Sequence, residues 1–285
     1  MRRVYSQRME LRYLGTAMVE LRLGTARLLT DPVLDPKGTT YDFGMWFTPA
    51  SWFSSEKQYE TPSFAGELDA VLVSHDQHAD NLDLAGRALI ADASLVARVI
   101  TNPTGAKRLA RPRATTDAPG KGLGLGDRAI GLAPSQSTRV GDVTVTAMIA
   151  RHGPSYAPQV HQVCGFLLDA DDGPRVWISG DTVMFPALAT ALDEIGKARP
   201  VDVAVIHCGA VAFPKAIGLR RARFTFDAPE IAEAAKLVNA RTIVPVHRSG
   251  WSHFRESEAV LRATLERAGL ADRVQMLELG QTIAL

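Results

Sequence analysis

Residues 70–82 read A-V-L-V-S-H-D-Q-H-A-D-N-L, and they guide the interpretation of the whole chain. The first five, residues 70–74, are apolar or small and predict a buried strand. That strand runs directly into a turn with four potential metal ligands: His75, Asp76, His78 and Asp80. Because Zn²⁺ binds imidazole nitrogens and carboxylate oxygens at about 2.0–2.2 Å, the stretch predicts a metal site. Taken alone, it also fits two surface histidines in a turn before a helix predicted over 82–90.

Further potential ligands follow other predicted strands in the same way. These strands are predicted over 143–149, 175–178, 201–206 and 242–246. Five potential ligands thus lie at carboxyl ends of strands: His75, His152, Asp181, His207 and His247. A lone histidine would more simply be a hydrogen-bonded core residue. Because α/β folds build their sites where such strand ends meet, five together indicate one shared metal site.

The order of predicted elements indicates an α/β fold in a single domain, residues 1–285. Short strands dominate the first part, whereas strands alternate with helices in the last part, where the helices are predicted over 185–198, 227–238 and 256–268. Final strands are predicted over 274–277 and 282–285. Two packed sheets with helices on the outside are the architecture that this order favours.

Composition narrows the classes of partner. The chain has 285 residues, 46% hydrophobic, and a net charge of +1, which gives no reason to expect nucleic acid or an anionic membrane as partner. The two cysteines, Cys164 and Cys208, lie in apolar runs and suggest reduced thiols in a cytoplasmic protein. We find neither a signal peptide nor an apolar run of membrane-spanning length. We expect a small-molecule substrate. The sequence leaves open whether the protein forms a homo-oligomer.

Residues 35–66 form an aromatic-rich insertion in which neither the helical nor the strand periodicity of apolar residues is sustained. The segment holds eight of the chain's 19 aromatic residues among Gly, Pro and Ser. Long aperiodic loops are uncommon and often act as lids or binding loops. Alternatively, these rings simply pack on the core or on a second subunit. As a pocket wall, the segment is expected to bring Trp46 and Trp52 close to His152.

The sequence resembles the metallo-β-lactamase superfamily over nearly its whole length. Within it, the chain is most similar to hydrolases grouped with ascorbate-6-phosphate lactonase and N-acyl phosphatidylethanolamine phospholipase D. The motifs that carry the resemblance are Thr30–Pro32, Ser74–Asp80, His152, Ser179–Thr182 and Val244–His247. The resemblance implies a four-layer αββα sandwich with one or two divalent metals at its edge, with zinc first and manganese or iron as alternatives.

The chain departs from the family's H-x-H-x-D-H pattern in the central motif. Read from His75, the later ligand positions hold Gln77, Ala79 and Asp80; read from Asp76, they hold His78, Asp80 and Asn81. Neither register is complete, so which of these residues ligate stays open. We expect this metal-ligand set: His75, His78, Asp80, His152, Asp181 and His247.

The expected chemistry is hydrolysis by a metal-bound hydroxide, with Asp181 as the bridge between two ions and Asp80 as the catalytic residue that orients water or acts as general base. Arg151 and Arg248 flank two ligand histidines and are expected to bind substrate. The substrate is therefore expected to be a small, anionic ester, lactone or phosphodiester. The basic run 215–223 is interpreted as a solvated loop in preference to an anion cradle.

Two alternatives belong to other classes. One is a metal-binding protein with degraded catalysis, because Gln77 and Asn81 stand where stronger ligands are expected. The other is a nuclease-type phosphodiesterase, because the superfamily includes nucleases. The near-neutral charge argues against that second alternative.

Overall fold

A computed structural model describes residues 9–44, 49–114, 118–156, 162–213 and 222–285. Two large sheets dominate it. The first has seven strands in the order β17-β1-β2-β3-β6-β7-β8. Their bounds are β1 Glu10–Gly15, β2 Met18–Leu23, β3 Ala26–Thr30, β6 Ala70–Leu72, β7 Val99–Thr101, β8 Ala129–Gly131 and β17 Thr282–Ala284. The β1–β3 meander is antiparallel, and β3, β6, β7 and β8 run parallel.

The second sheet has six strands in the order β16-β13-β12-β11-β10-β9. Their bounds are β9 Ser137–Val140, β10 Val143–Met148, β11 Gly165–Ala170, β12 Arg175–Ile178, β13 Val203–His207 and β16 Thr242–Val246. The β9–β12 part is antiparallel, and β12, β13 and β16 run parallel. The parallel strands are buried along their length, as their continuous apolar sequences predict.

Six α-helices complete the described part of the chain: α1 Ala50–Phe53, α2 Leu84–Ala91, α3 Pro103–Ala110, α4 Pro186–Ala198, α5 Ala228–Leu237 and α6 Glu258–Arg267. Short 3-10 helices cover Gly126–Arg128 and Ala271–Arg273. Side-chain caps begin four of the helices, at Asp83, Asn102, Asp227 and Ser257. None of the helices in the described ranges is both long and apolar enough to span a bilayer.

Three apolar cores define the layers. The largest lies between the two sheets and joins residues such as Leu21 of the first to Phe166 of the second. A second core packs α4, α5 and α6 on the outer face of the second sheet. A third packs α2 and α3 on the outer face of the first. The four-layer αββα sandwich that the resemblance implied is therefore confirmed.

The carboxyl ends of the parallel strands lie at one edge of the sandwich. At the first sheet this edge holds Asp31 and His75, and Asp31 accepts a hydrogen bond of 2.7 Å from the backbone nitrogen of Ser74. At the second sheet it holds Asp181, His207 and His247, which follow β12, end β13 and follow β16. Both sheets thus direct polar side chains into the same space.

Two predictions of local structure need correction. Residues 35–66 are not wholly irregular, because β4 Thr40–Asp42 pairs with β5 Ser54–Glu56 and α1 lies between them. Residues 274–277 do not form the predicted strand. Only Val274 pairs, in a single bridge to Ile243, because a 3-10 helix ends directly before it. A further ribbon joins β14 Ala212–Phe213 to β15 Ala222–Arg223.

Candidate metal centre

Three histidines form the first cluster, two from the turn after β6 and one from the segment after β10. Nε2 of His75 lies 2.9 Å from Nδ1 of His78, and Nε2 of His152 lies 3.2 Å from the same Nδ1. His75 follows β6, and His152 follows β10. The rings of His75 and His152 are almost fully buried, whereas that of His78 is partly exposed. We call this set the three-histidine cluster; the structure brings all three predicted residues together.

The outer nitrogens of two of these rings are held by neighbours. Nδ1 of His152 lies 2.9 Å from the carbonyl oxygen of Phe224, to which it can donate. Nδ1 of His75 lies 3.0 Å from Oγ of Ser74. Such outer bonds fix the tautomer and leave Nε2 of each ring free to bind a metal. Burial lowers the pKa of His152 to about 4 and, with help from the neighbouring imidazoles, lowers that of His75 too. Both rings are therefore neutral near pH 7, as metal ligands must be.

Two carboxylates and one imidazole form the second cluster. Nε2 of His247 lies 3.3 Å from Oδ2 of Asp80 and 3.6 Å from Oδ2 of Asp181. All three side chains are buried. His247 leaves β16 with a φ of 53°, a left-handed conformation that is costly for residues other than glycine and is often found at functional sites. We call this set the carboxylate cluster.

The charges of the carboxylate cluster depend on one another. Burial opposes ionisation of Asp80 and Asp181, but neighbouring histidines outweigh it and hold both pKa values well below the ordinary range. Burial also opposes a charge on His247, yet the two carboxylates raise its pKa to about 9. The cluster therefore stabilises a positive charge between its two carboxylates. A proton on His247 supplies this charge when no ion is bound.

This donor set fits divalent metal ions. Ligands about 2.0–2.1 Å from a tetrahedral ion lie roughly 3.3 Å from one another. The separations of 2.9–3.6 Å between ligand atoms in the two clusters are of that size. Imidazole and carboxylate together suit zinc, and also manganese or iron. His75, His78 and His152 would hold one ion, and Asp80, Asp181 and His247 a second.

Metal binding at the carboxylate cluster is expected to strengthen as pH rises. Since the pKa of His247 is about 9 without metal, this ring is protonated at pH 7 and must lose its proton to ligate. Affinity should then rise by about tenfold per pH unit from pH 7 and level off above pH 9. Chelator competition, with the released protons counted at each pH, measures this. A pH-independent affinity with no proton release would contradict the assignment of His247.

His207 and Asp31 lie behind the carboxylate cluster. Nδ1 of His207 is 2.9 Å from Oδ1 of Asp181, and its Nε2 is 4.0 Å from Oδ2 of Asp31. Burial raises the pKa of Asp31 to about 8, so this carboxyl is largely protonated at neutral pH. His207 follows the strand-end pattern, but it contacts the far oxygen of Asp181 and acts as a support for that ligand.

The central motif follows neither register of the family pattern. Asp76 turns away and pairs with Arg108, and the side chain of Gln77 donates a hydrogen bond of 3.3 Å to Gln162. With its nitrogen facing the carboxylates, the amide of Asn81 lies 3.2 Å from Oδ1 of Asp80 and 3.3 Å from Oδ2 of Asp181. Asn81 is therefore a hydrogen-bond donor to two ligands.

The two arginines predicted to bind substrate have different surroundings. Arg248 pairs with Glu258 at 2.6 Å and donates to the carbonyl oxygen of Leu277 at 2.5 Å, which directs its guanidinium away from both clusters. Arg151 lies over the ring of Phe185, and its buried Nε has no partner among the described residues. Of the basic run, Lys215, Arg220 and Arg221 fall outside the described ranges; Arg223 pairs with Glu230.

The aromatic-rich insertion reaches the clusters through Phe43. Its ring centroid lies 5.8 Å from that of His78, and its ring stacks on Phe213 at 6.0 Å. Phe53 also stacks on Phe213, at 5.6 Å. Trp46 lies outside the described residues, and Trp52 is 37% exposed.

One buried histidine at the site was missed by the sequence reasoning. Nε2 of His253 lies 3.1 Å from Oδ2 of Asp80, and its Nδ1 lies 2.6 Å from Oγ of Ser55. It was missed because it ends no strand and lies in the loop after β16. Its spacing of six residues from His247, in an aromatic run W-S-H-F, was the available signal.

Comparisons with known proteins agree with the fold and identify the family. A curated relative, the UPF0173 metal-dependent hydrolase of Caldivirga maquilingensis, is 24% identical over 275 residues, covering 96% of this chain and 97% of its own. A possible metal-dependent hydrolase from Veillonella parvula has a similar fold, with a TM-score of 0.70 at 19% identity, covering 97% of this chain and 99% of its own. An isothiocyanate hydrolase from Delia radicum gut bacteria also shares the fold, with a TM-score of 0.71 at 18% identity, covering 97% and 98%. Residues 26–248, most of the chain, match the Beta-lactamase superfamily domain, and the protein therefore belongs to this family.

Proposed function

We propose that the protein holds divalent metal in its two clusters and hydrolyses a small carboxylic ester or lactone. The observation that carries this proposal is the meeting of six buried or half-buried ligands at one sheet edge. The predicted enzyme class, a metal-dependent hydrolase, is confirmed by the family and by the curated relatives. The substrate is inferred from the surroundings of the ligands.

A bound divalent ion would lower the pKa of its water toward about 7 and polarise the bond to be cleaved. The protein's own residues set the geometry. Asp80 is ionised, and its Oδ2 lies 3.1 and 3.3 Å from Nε2 of His253 and His247, so its carboxylate is placed to orient the attacking water. Oδ2 of Asp181 lies 3.6 Å from Nε2 of His247, and the charge of Asp181 also acts on His152; we infer that Asp181 is the ligand shared by the two clusters.

A cleft of about 310 Å³ beside His78 is the proposed substrate site. Its walls are Tyr41, Asp42, Phe43, Gly44, Gln77, Ala79 and Pro119. This volume suits a small molecule. Among the described residues the lining contains no lysine or arginine, and it presents the apolar face of Phe43. These features favour a neutral substrate with an apolar group.

A second candidate is an anionic ester, lactone or phosphodiester, as in the group that the sequence resembles. The buried Nε of Arg151, unpartnered among described residues, favours it, because a guanidinium in that state can bind a carboxylate or phosphate oxygen. Arg248 is left out of this proposal because Glu258 and backbone carbonyl oxygens already engage it.

Matched substitutions of the two arginines separate these candidates. For an anionic substrate, Arg151→Gln is expected to lower kcat/KM by about ten- to a hundredfold through loss of one charge-assisted hydrogen bond, with little change on a neutral ester. Arg248→Gln should lower thermal stability and affect both substrates alike. Kinetics on an isosteric neutral and anionic pair measure this. Equal losses on both substrates for Arg151→Gln would leave only the neutral candidate.

The function itself is tested with metal-loaded protein and a panel of esters, lactones, phosphodiesters and nucleic acids. We expect turnover of a small ester or lactone that chelation removes and divalent metal restores. Stoichiometric metal without turnover across the panel would instead indicate a metal-binding protein. Salt-dependent binding and cleavage of nucleic acid would indicate the nuclease-type alternative.

A further inference from the structure

His253 is placed like the ligand His247. The Nε2 atoms of the two rings approach the same atom, Oδ2 of Asp80, at 3.1 and 3.3 Å. Both rings are fully buried. The carboxylate cluster alone offers three protein ligands, and the amide of Asn81 next to it serves as a hydrogen-bond donor. His253 is thus a further imidazole directed at Asp80, one of the three members of this cluster.

The other nitrogen of His253 is already occupied. Its Nδ1 lies 2.6 Å from Oγ of Ser55, in β5 of the aromatic-rich insertion, and that hydroxyl lies 3.1 Å from Oγ of Ser252. When Nδ1 donates its hydrogen to Ser55, the lone pair of Nε2 is left to face the cluster, as metal ligation requires. A metal-ligating histidine typically donates its outer N–H to an oxygen in this way.

Aromatic side chains hold the ring in this orientation. Phe43 and Phe213 lie on it with centroid distances of 5.0 and 5.3 Å, and Phe254 meets it nearly at right angles at 4.8 Å. Such contacts leave the buried ring little room to turn. Its position is therefore preorganised, as metal ligands generally are.

We propose that His253 is the fourth protein ligand of the metal held by Asp80, Asp181 and His247, and that through Ser55 it couples this metal to the aromatic-rich insertion. This inference rests on the proposed function, because it needs a divalent metal at the carboxylate cluster. It adds a direct link between metal loading and the wall of the substrate cleft. The loop of His253 is already joined to the insertion by a hydrogen bond of 2.8 Å from the backbone nitrogen of Gln58 to Gly250.

The test compares His253→Ala with Asn81→Ala, since both residues contact the same carboxylate of Asp80. Each variant is loaded with cobalt(II), and metal content, affinity and the visible spectrum are measured. Loss of a residue that only hydrogen-bonds to a ligand typically lowers metal affinity by roughly 10–100-fold. In His253→Ala the affinity of the carboxylate cluster for its metal should fall by more than that. Its spectrum should change, while the metal of the three-histidine cluster stays bound. Asn81→Ala should weaken binding and keep the spectrum.

A second measurement does not depend on any variant that folds poorly. It is an NMR measurement on wild-type protein whose histidines carry spin-active nitrogen and whose metal is a spin-active cadmium isotope. A scalar coupling between cadmium and Nε2 of His253 is expected. Hydrogen exchange of residues 54–58 should also slow on metal loading in the wild type and in Asn81→Ala, but not in His253→Gln.

The outcomes separate this inference from the proposed function. If wild type and His253→Ala both bind two ions with the same affinity and spectrum, the ligand role of His253 is overturned and the proposed function stands. An absence of cadmium coupling at His253 in fully loaded wild type would also overturn it. If the folded wild type binds no metal, both proposals fall.

Discussion

Replacing Asp181 with asparagine is expected to remove most of the bound metal and nearly all of the hydrolase activity. The carboxylate of Asp181 lies between a supporting histidine, His207, at 2.9 Å and a ligand histidine, His247, at 3.6 Å. The change keeps the shape but deletes the charge that both metal ions would share. Loss of a preorganised electrostatic group typically lowers kcat by about a hundred- to a thousandfold, and loss of metal should add to that. Elemental analysis and kcat on the best ester measure both effects.

Asp169→Asn is the matched control. Asp169 is a partly exposed partner of Arg175, 2.6 Å away, on the same sheet but remote from the strand ends that carry the clusters. Because this ion pair touches none of the candidate ligands, metal content and activity of the folded variant should stay at wild-type levels. Full metal content in Asp181→Asn would show that the proposed arrangement of ligands is wrong.

Replacing Phe166 with alanine is expected to destabilise the fold by about 3–5 kcal/mol. Phe166 lies on β11 and is 1% exposed within the core between the two sheets. Its removal leaves a cavity that β strands on both sides can close only in part. Urea unfolding of the metal-free variant measures the loss, without the extra stability that bound metal adds.

Phe64→Ala provides the comparison for that substitution. Phe64 is only partly buried and packs at the margin of the first sheet's outer core. Its loss should cost roughly half as much or less. Equal costs for the two variants would contradict the placement of the principal core between the sheets.

The fold was largely predictable because its sheets leave strong signals. The parallel strands β12, β13 and β16 are continuous apolar runs, and helix α5 begins at an Asp cap followed closely by a proline. The strand predicted over 274–277 was wrong because, apart from the single bridge of Val274, the apolar residues there pack on the cores without joining the ladder. Hydrophobic periodicity alone does not distinguish an apolar residue that joins a sheet from one that only packs against it.

The site was predictable in part. Ligands that follow strands, such as His75 and His247, could be expected to meet because topology fixes where parallel strands end. The contacts that each side chain makes could not be predicted from the sequence in this way. The sequence places Arg248 next to a candidate ligand, yet its guanidinium pairs with Glu258 at the start of helix α6 and donates to the carbonyl oxygen of Leu277. His253 reaches Asp80 through a loop whose path depends on contacts with the aromatic-rich insertion.

The central claim is that the two clusters hold divalent metal. Its most direct test is elemental analysis of folded wild-type protein after loading with zinc and removal of excess ion by gel filtration. The account predicts close to two ions per chain, as the two groups of ligands require. Folded protein that retains no stoichiometric metal after loading with zinc, manganese or iron would contradict it.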